Sequence, residues 1–350
     1  MPIHFDLSHP LKRAISISLL AVLPASVAVG DELRNSSDQN ATRAAEISAI
    51  QNQTTHAMRT APAAQAAKSD ARVIGGQDAS APGQWEFTVN LTLRGNYRCG
   101  GVLVSPDIRG SGTARHVHSW RAGSQLDLWV LTAAHCLFDR DNVPITKDEI
   151  EIKSGVLDLN DTNRMEFDVI ETIPHAGYKP LENFVNDIAL LRVEATSPLP
   201  APKANPRSIK LPNFRDFQTL YRPSVRFQVN GWGNTSDSMG DSTTSYLQTA
   251  DIPYIDQVTC SQNYQVHFGG LPAGSFCAGW LEGGIDSCAG DSGGPIFFPG
   301  SVGASPYSNE PILTGLVSWG RGCALPGYPG VYTNVFSFLS WIEKNVVTVN

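Results

Sequence analysis

D-S-C-A-G-D-S-G-G-P, residues 286–295, surrounds Ser292 with the glycines Gly290, Gly293 and Gly294, the carboxylates Asp286 and Asp291, and Cys288. Glycine reaches backbone angles closed to other residues and lets a second backbone approach closely. The segment therefore reads as a tight loop that displays the Ser292 hydroxyl, and a plain surface turn does not account for so many glycines around one serine. A serine hydroxyl is a poor nucleophile until a neighbouring base takes its proton. A neutral imidazole suits that role near pH 7, and a buried carboxylate fixes its tautomer and stabilises the imidazolium that forms.

Working outward, L-T-A-A-H-C at 131–136 sets His135 beside a cysteine, and N-D-I-A-L-L at 186–191 sets Asp187 at the head of an apolar run. V-I-G-G at 73–76 follows Arg72, and V-S-W-G-R-G-C at 317–323 precedes the end of the chain. Together, in this order, the five segments resemble the chymotrypsin/trypsin family of serine proteases over essentially all of residues 73–350. L-E-G-G-I-D-S-C at 281–288 is closest to trypsin. The resemblance implies an all-β fold, with two packed antiparallel six-stranded barrels and a C-terminal helix. It also implies a secreted serine endopeptidase that cleaves after Arg or Lys.

Carried over residue by residue, the resemblance makes Ser292 the nucleophile, His135 the general base and then acid, and Asp187 the orienting carboxylate. Backbone N–H groups of Gly290 and Ser292 face the developing oxyanion. Asp286 lies at the base of the pocket for the residue preceding the scissile bond, where a carboxylate pairs with Arg or Lys. Gly320 and Gly330 leave the pocket walls open, and Ser318, Trp319 and Gly320 pair with the substrate backbone. Phe184 caps the adjoining subsite, and Ala289, in place of a longer side chain, opens the pocket rim. Arg72, Val73 and Asp291 form an activation switch. Cleavage after Arg72 frees an α-amino group on Val73, which pairs with the buried Asp291. In the uncut precursor the loop is therefore expected not to be held inward, with Val73 away from Asp291 and the oxyanion site incomplete. Lys68-Ser-Asp-Ala-Arg72 ends in a basic residue, which makes self-activation plausible.

Six cysteines and no C-x-x-C pair favour disulfides in an exported chain over zinc, and spacing alone leaves every pairing open. The resemblance pairs Cys99 with Cys136, Cys260 with Cys277 and Cys288 with Cys323. At the amino terminus Lys12 and Arg13 precede an apolar run from Ala14 to Val29, broken by Pro24 and ending in small residues. That pattern is a secretory signal, and it is shorter than the roughly 20 residues a bilayer span needs. Residues 29–72 are nearly devoid of large apolar side chains, so they read as a largely disordered activation propeptide. The expected organisation is a signal peptide at 1–28, a propeptide at 29–72 and a peptidase domain at 73–350. Within that domain an N-terminal barrel spans 73–197, a proline-rich linker 198–208, and a C-terminal barrel with terminal helix 209–350.

In the body, Phe87, Val89, Leu91 and Leu93 alternate with polar residues, as in a half-buried strand. Short apolar runs recur at 128–131, 188–193, 227–229 and 312–317, with Gly, Pro, Asn and Asp between them. Only Phe336–Val346 has helical spacing. An insertion at 107–126 carries His116, His118 and Trp120, and metal is not expected there. Asp158, Asp161 and Glu166 lie in the region that corresponds to the family's calcium loop without a clear ligand pattern, so no cofactor is expected, and calcium stays open as an unsupported alternative. Sequons stand at Asn90, Asn160 and Asn234. The net charge of −7 and the absence of a basic cluster speak against nucleic acid and anionic membrane as partners. The expected partners are polypeptide substrates with Arg or Lys before the scissile bond, and protein protease inhibitors. The expected state is a monomer, extracellular or, if export stops there, periplasmic. A binding protein that had lost catalysis would show His135, Asp187 or Ser292 replaced, and all three are present.

Overall fold

The computed structural model describes residues 73–80, 85–95, 97–104, 128–180, 184–196, 208–235, 244–300 and 311–346. The expected signal at 1–28, the expected propeptide at 29–72, the 107–126 stretch and all of the proline-rich linker except Ser208 lie outside them.

Thirteen strands are described. The first barrel closes in the order β2 (Thr88–Leu93), β3 (Tyr97–Val104), β4 (Leu128–Thr132), β7 (Ala189–Ala195), β6 (Met165–Pro174) and β5 (Ile150–Ser154). Every pairing is antiparallel, and β5 returns to β2 in register Leu91 opposite Ile152. The second barrel runs β9 (Gln248–Ile255), β10 (Ser275–Ala278), β13 (Gly330–Asn334), β12 (Ile312–Trp319), β11 (Pro295–Phe298) and β8 (Arg226–Gly231), closed by the β8–β9 pairing.

The texture of the strands explains how the barrels meet. Along β4, Leu128 and Val130 point into the first barrel's core beside Leu91, Ile152 and Leu191. The intervening Trp129 and Leu131 join Phe87, Leu190, Phe297, Leu316 and Val335 in a second apolar layer, built from residues of both barrels. A strand covered on both faces reads as a continuous apolar run instead of an alternating one. Burying one such leucine side chain stabilises by roughly 1.5–3 kcal/mol. The same cause modifies the reading of β2: Thr88 and Asn90, on its polar side, are buried as well. At 2 % exposure Asn90 cannot carry a glycan in the folded chain, whereas Asn160 is exposed.

Residues 73–79, grouped by sequence with the N-terminal barrel, sit instead on the C-terminal one. Strand β1 (Gln77–Asp78) pairs with Gln248 and Thr249 of β9, and Val73 packs among Phe227, Val229 and Ile252. Backbone pairing to a strand edge and an apolar pocket for Val73 outweigh nearness in sequence.

The C-terminal stretch forms a 3-10 turn at Val335–Phe338 and helix α3 at Leu339–Asn345, whose Ile342 enters the layer shared by both barrels. Two further helices lacked an apolar period that could announce them. Helix α1 (Phe214–Leu220) starts on Asn213, whose side chain accepts from the N–H groups of Arg215 and Asp216. Helix α2 (Gln257–Phe268) is capped by Asp256 and ends on Gly269 at φ 72°. Among its described side chains only Cys260 and Tyr264 are buried, while Val258 and Val266 are 65 % and 85 % exposed. Apolar side chains on the solvent side erase the 3.6-residue pattern. The Asp256 cap and Gly269 stop were the legible signals. No helix among the described residues is long and apolar enough to cross a membrane.

Candidate active site

His135 lies on a 3-10 turn, Ala134–Leu137, immediately beyond β4. Ala133 and Ala134 are fully buried, and the Cys99–Cys136 disulfide ties this turn to β3. Asp187 sits two residues before β7 at 1 % exposure. The chain reaches it through Asn186 at φ 57°, a left-handed angle that asparagine tolerates, and the Asn186 side chain donates to the Gly177 carbonyl at 2.7 Å.

One Asp187 oxygen, Oδ1, accepts the His135 backbone N–H at 2.9 Å. The other, Oδ2, lies 2.8 Å from His135 Nδ1 and accepts the Ser318 hydroxyl at 2.5 Å. Thr333 donates to the Asp187 carbonyl at 2.7 Å. A buried carboxylate is tolerated when donors satisfy it, and here the two barrels supply them jointly. The resemblance places Ser318 only on the substrate strand; its hydroxyl on Asp187, and the whole of Thr333's contribution, have no local signal in the sequence. Burial pulls the His135 imidazole down, but the charge and hydrogen bond of Asp187 outweigh it and hold its pKa above the ordinary 6.5. The acid limb of the pH dependence of kcat/KM, which reports groups of the free enzyme, should therefore fall above pH 6.5. Asp187→Asn should move it down, and an unmoved limb would show that another group titrates there.

Ser292 is half-buried on a loop wedged between the barrels. Its carbonyl accepts the Gly100 N–H at 2.7 Å, and Cys136 Sγ lies 3.5 Å from that carbonyl oxygen, which brings Ser292 to the histidine turn. Among the described residues no hydrogen bond joins Ser292 Oγ to the His135 ring, a contact that free enzymes commonly leave long until substrate binds. Gly290 stands at φ 97° with its Cβ direction blocked by Gly233 Cα at 2.9 Å; at Gly293 (φ 78°) a Cβ would strike Thr132 and Gly100. Glycine is thus required twice over, for the angle and for the space. Among the described residues neither the Gly290 nor the Ser292 N–H has an acceptor, which leaves two donors free for a negative oxygen beside the hydroxyl.

Asp286 lies six residues before Ser292 at 3 % exposure. Its Oδ2 accepts the Ala324 N–H at 3.0 Å, while Oδ1 is buried with no hydrogen-bond partner. Desolvation pushes this carboxyl up to about 7 against the lowering effect of the Ala324 and Ser287 N–H groups, with a smaller upward push from Asp291. A Cβ on Gly330 would come within 2.8 Å of Oδ1; one on Gly320 would meet nothing closer than 3.3 Å. The Cys288–Cys323 disulfide joins the loop that carries Asp286 to the segment that carries Gly320. The third bond, Cys260–Cys277, fastens α2 to β10. Phe184, at φ 56°, packs edge-on against the His135 ring with centroids 5.5 Å apart. Trp319 meets Tyr264 edge-to-face, with centroids 5.0 Å apart.

Asp291 departs from expectation. In the intact chain its loop is already inward: the residue is fully buried, and its carboxylate accepts the N–H groups of Gly233 at 2.8 Å and Cys288 at 2.9 Å. Two backbone donors stabilise the carboxylate without an ammonium. Burial still dominates and raises it to about 6. Neither Val73 nor any cationic side chain among the described residues pairs with it. Gly231 and Gly233, whose absent Cβ atoms make room for this carboxylate, were not singled out by sequence.

Cys99, Cys136 and His135 form the one metal-type grouping among the described residues, but the two sulfurs are bonded to each other and offer no thiolate. In the 155–166 stretch, Asp158 and Asp161 accept the N–H groups of Asn160 and Asn163, and Arg164 pairs with Glu166 at 2.9 Å. His116 and His118 lie outside the described residues.

A family model described as Trypsin matches residues 122–342. The chain is 32% identical to the trypsin of Xenopus laevis, over 81% of this chain and 94% of that protein. Against a trypsin-like protease of Streptomyces glaucescens it is 33% identical, over 81% and 85%. Cationic trypsin-3 of Rattus norvegicus is 31% identical, over 79% and 90%.

Proposed function

The chain belongs to the trypsin family of serine endopeptidases, and we propose that it is a secreted enzyme that cleaves after Arg or Lys, made as a zymogen and activated by cleavage between Arg72 and Val73. The observation that carries the specificity is the buried Asp286 oxygen without a partner, beside Gly330, where any Cβ would crowd that oxygen. A guanidinium or ammonium that enters there supplies the missing donor.

In the mechanism, His135 takes the Ser292 proton as the hydroxyl attacks the scissile carbonyl. Asp187, held by the His135 backbone and by Ser318, keeps the imidazole in one tautomer and offsets its charge. The free Gly290 and Ser292 N–H groups receive the oxyanion, and His135 then returns the proton to the leaving amine. Phe184 against the imidazole and Trp319 on Tyr264 flank the adjoining subsite. Export is supported by the apolar leader and by the three disulfides of the peptidase body. The domain boundaries at 28, 72, 197 and 208 belong to the same reading, with residues 73–79 reassigned to the second barrel. The preferred partners are polypeptides with a basic residue before the scissile bond and proteins that inhibit such enzymes. The enzyme works as a monomer without a cofactor.

Amino-terminal sequencing of secreted active material should begin at Val73, and that material should hydrolyse Arg and Lys substrates and spare Phe ones. A different start, or preference for Phe, would overturn the proposal. The inward Asp291 loop refines what cleavage adds. An ionised Asp291 with no cation destabilises the inserted loop above pH 6, whereas the protonated acid does not, so the cost is present at pH 8 and fades as pH falls through about 6. Arg72→Gln should therefore block basic-specific cutting and leave a stable precursor with activity on the order of 10²-fold below that of the cut enzyme at pH 8. That deficit should narrow towards pH 6. Full activity from uncut protein would refute the switch.

A further inference from the structure

We infer that Arg321 selects substrates with an acidic residue two positions before the basic residue at the scissile bond, and that Asp70 of this chain's own activation segment is such a residue. This rests on the cleavage specificity proposed above.

The direction of the bound chain follows from the site. Ser318 is tied to Asp187, so the scissile bond lies at that end of the substrate strand. A peptide that pairs antiparallel with Ser318–Trp319–Gly320 runs towards its own amino terminus as the protein runs towards Arg321. With the basic residue opposite Ser318, the residue two before it stands opposite Gly320 and adjacent to Arg321.

Arg321 is exposed yet fixed in place. Its guanidinium carbon lies 4.5 Å above the Tyr328 ring, and Nη1 donates to the Tyr328 hydroxyl. Tyr328 rests against Tyr264 at 5.8 Å, and Tyr264 is itself buried and donates to the Pro329 carbonyl at 2.6 Å. Among the described residues no carboxylate pairs with Arg321. A cation ordered in advance over the Tyr328 ring, beside the substrate strand and with no carboxylate partner among the described residues, favours an arriving carboxylate with little further loss of side-chain freedom. In Lys68-Ser-Asp-Ala-Arg72 the residue two before Arg72 is Asp70. The charge at Arg321 thus matches the bond that this enzyme would cut to make more of itself.

The test uses the cut enzyme and three peptides that differ in one position, Asp-Ala-Arg, Ala-Ala-Arg and Lys-Ala-Arg. At low salt kcat/KM should fall in that order, with Asp about threefold to fivefold above Ala, as an exposed ion pair warrants, and the gap should shrink at roughly 0.5 M salt. Arg321→Ala should bring the Asp-to-Ala ratio close to one, and Arg321→Glu should invert it. A ratio near one in the unaltered enzyme, or a ratio unchanged in Arg321→Ala, would overturn the inference. Because the ratio is taken within each enzyme, a general loss of activity in a variant does not mask it. Failure to cleave Ala-Ala-Arg at all would instead overturn the Arg/Lys specificity. In a mixture of catalytically inert precursor and cut enzyme, Asp70→Ala should slow conversion by a similar factor.

Discussion

Ser292→Ala should lower kcat by on the order of 10⁶ while leaving the fold intact. The size follows from removing the only atom that bonds to the substrate, since His135 and the two free N–H groups then have no hydroxyl to act on. What survives is the binding and oxyanion stabilisation, worth on the order of 10³ over water. Stability should hold because Ser292 anchors its loop through its backbone: the carbonyl accepts from Gly100, and neighbouring Gly293 donates to Val317. Activity, thermal unfolding and inhibitor binding measured on the same preparation distinguish a lost nucleophile from a lost fold. Residual hydrolysis within tenfold of the unaltered enzyme would show that Ser292 is not the nucleophile.

Asp286→Ser should reduce kcat/KM for Arg and Lys substrates by on the order of 10⁴ to 10⁵, because the arriving cation is desolvated with no carboxylate to receive it. The free enzyme makes a second, opposite statement. Its Asp286 carboxyl is raised to about 7 by burial, above the ordinary carboxylate value in the unfolded chain. Such a group binds a proton in the folded state that the unfolded state has released, so it lowers stability as pH rises from about 4 to about 7 and holds that loss above it. Asp286→Ser should remove this decline and raise stability at pH 8. A guanidinium ligand stabilises the ionised form, so its affinity for the unaltered enzyme should rise with pH until about 7 and then level off. A mutant that still prefers Arg would mean that a different acid lines the pocket. A pH-independent affinity between pH 5 and 8 would mean that Asp286 is already ionised in the free enzyme.

How much was legible differs from element to element. The strand around Leu91 and the run at Leu128–Leu131 announced themselves by apolar patterning, because each lies in a barrel wall whose inner face must be apolar. Helix α2 did not, since its hold on the body comes from a disulfide at Cys260 and the rings of Tyr264 and Phe268, while Val258 and Val266 face solvent and erase any stripe. Residues 73–79 were assigned to the wrong barrel because pairing with β9 leaves no trace in the residues that do the pairing.

Sequence by itself determined the chemistry available here. It held one serine among glycines, one histidine beside a cysteine, and one aspartate at the head of a buried run. It also held an acid six residues before the serine and six cysteines. These are local matters of residue type and backbone permission, so they are written where they act. Only the tertiary structure decided which groups meet across the barrels. It placed the Ser318 hydroxyl on Asp187 and the two glycines 231 and 233 around Asp291. It also left Asp286 Oδ1 without a donor and stacked Arg321 on Tyr328. Each of these depends on burial and on partners distant in the chain, and the energy of a charge is set by what surrounds it, not by what precedes it.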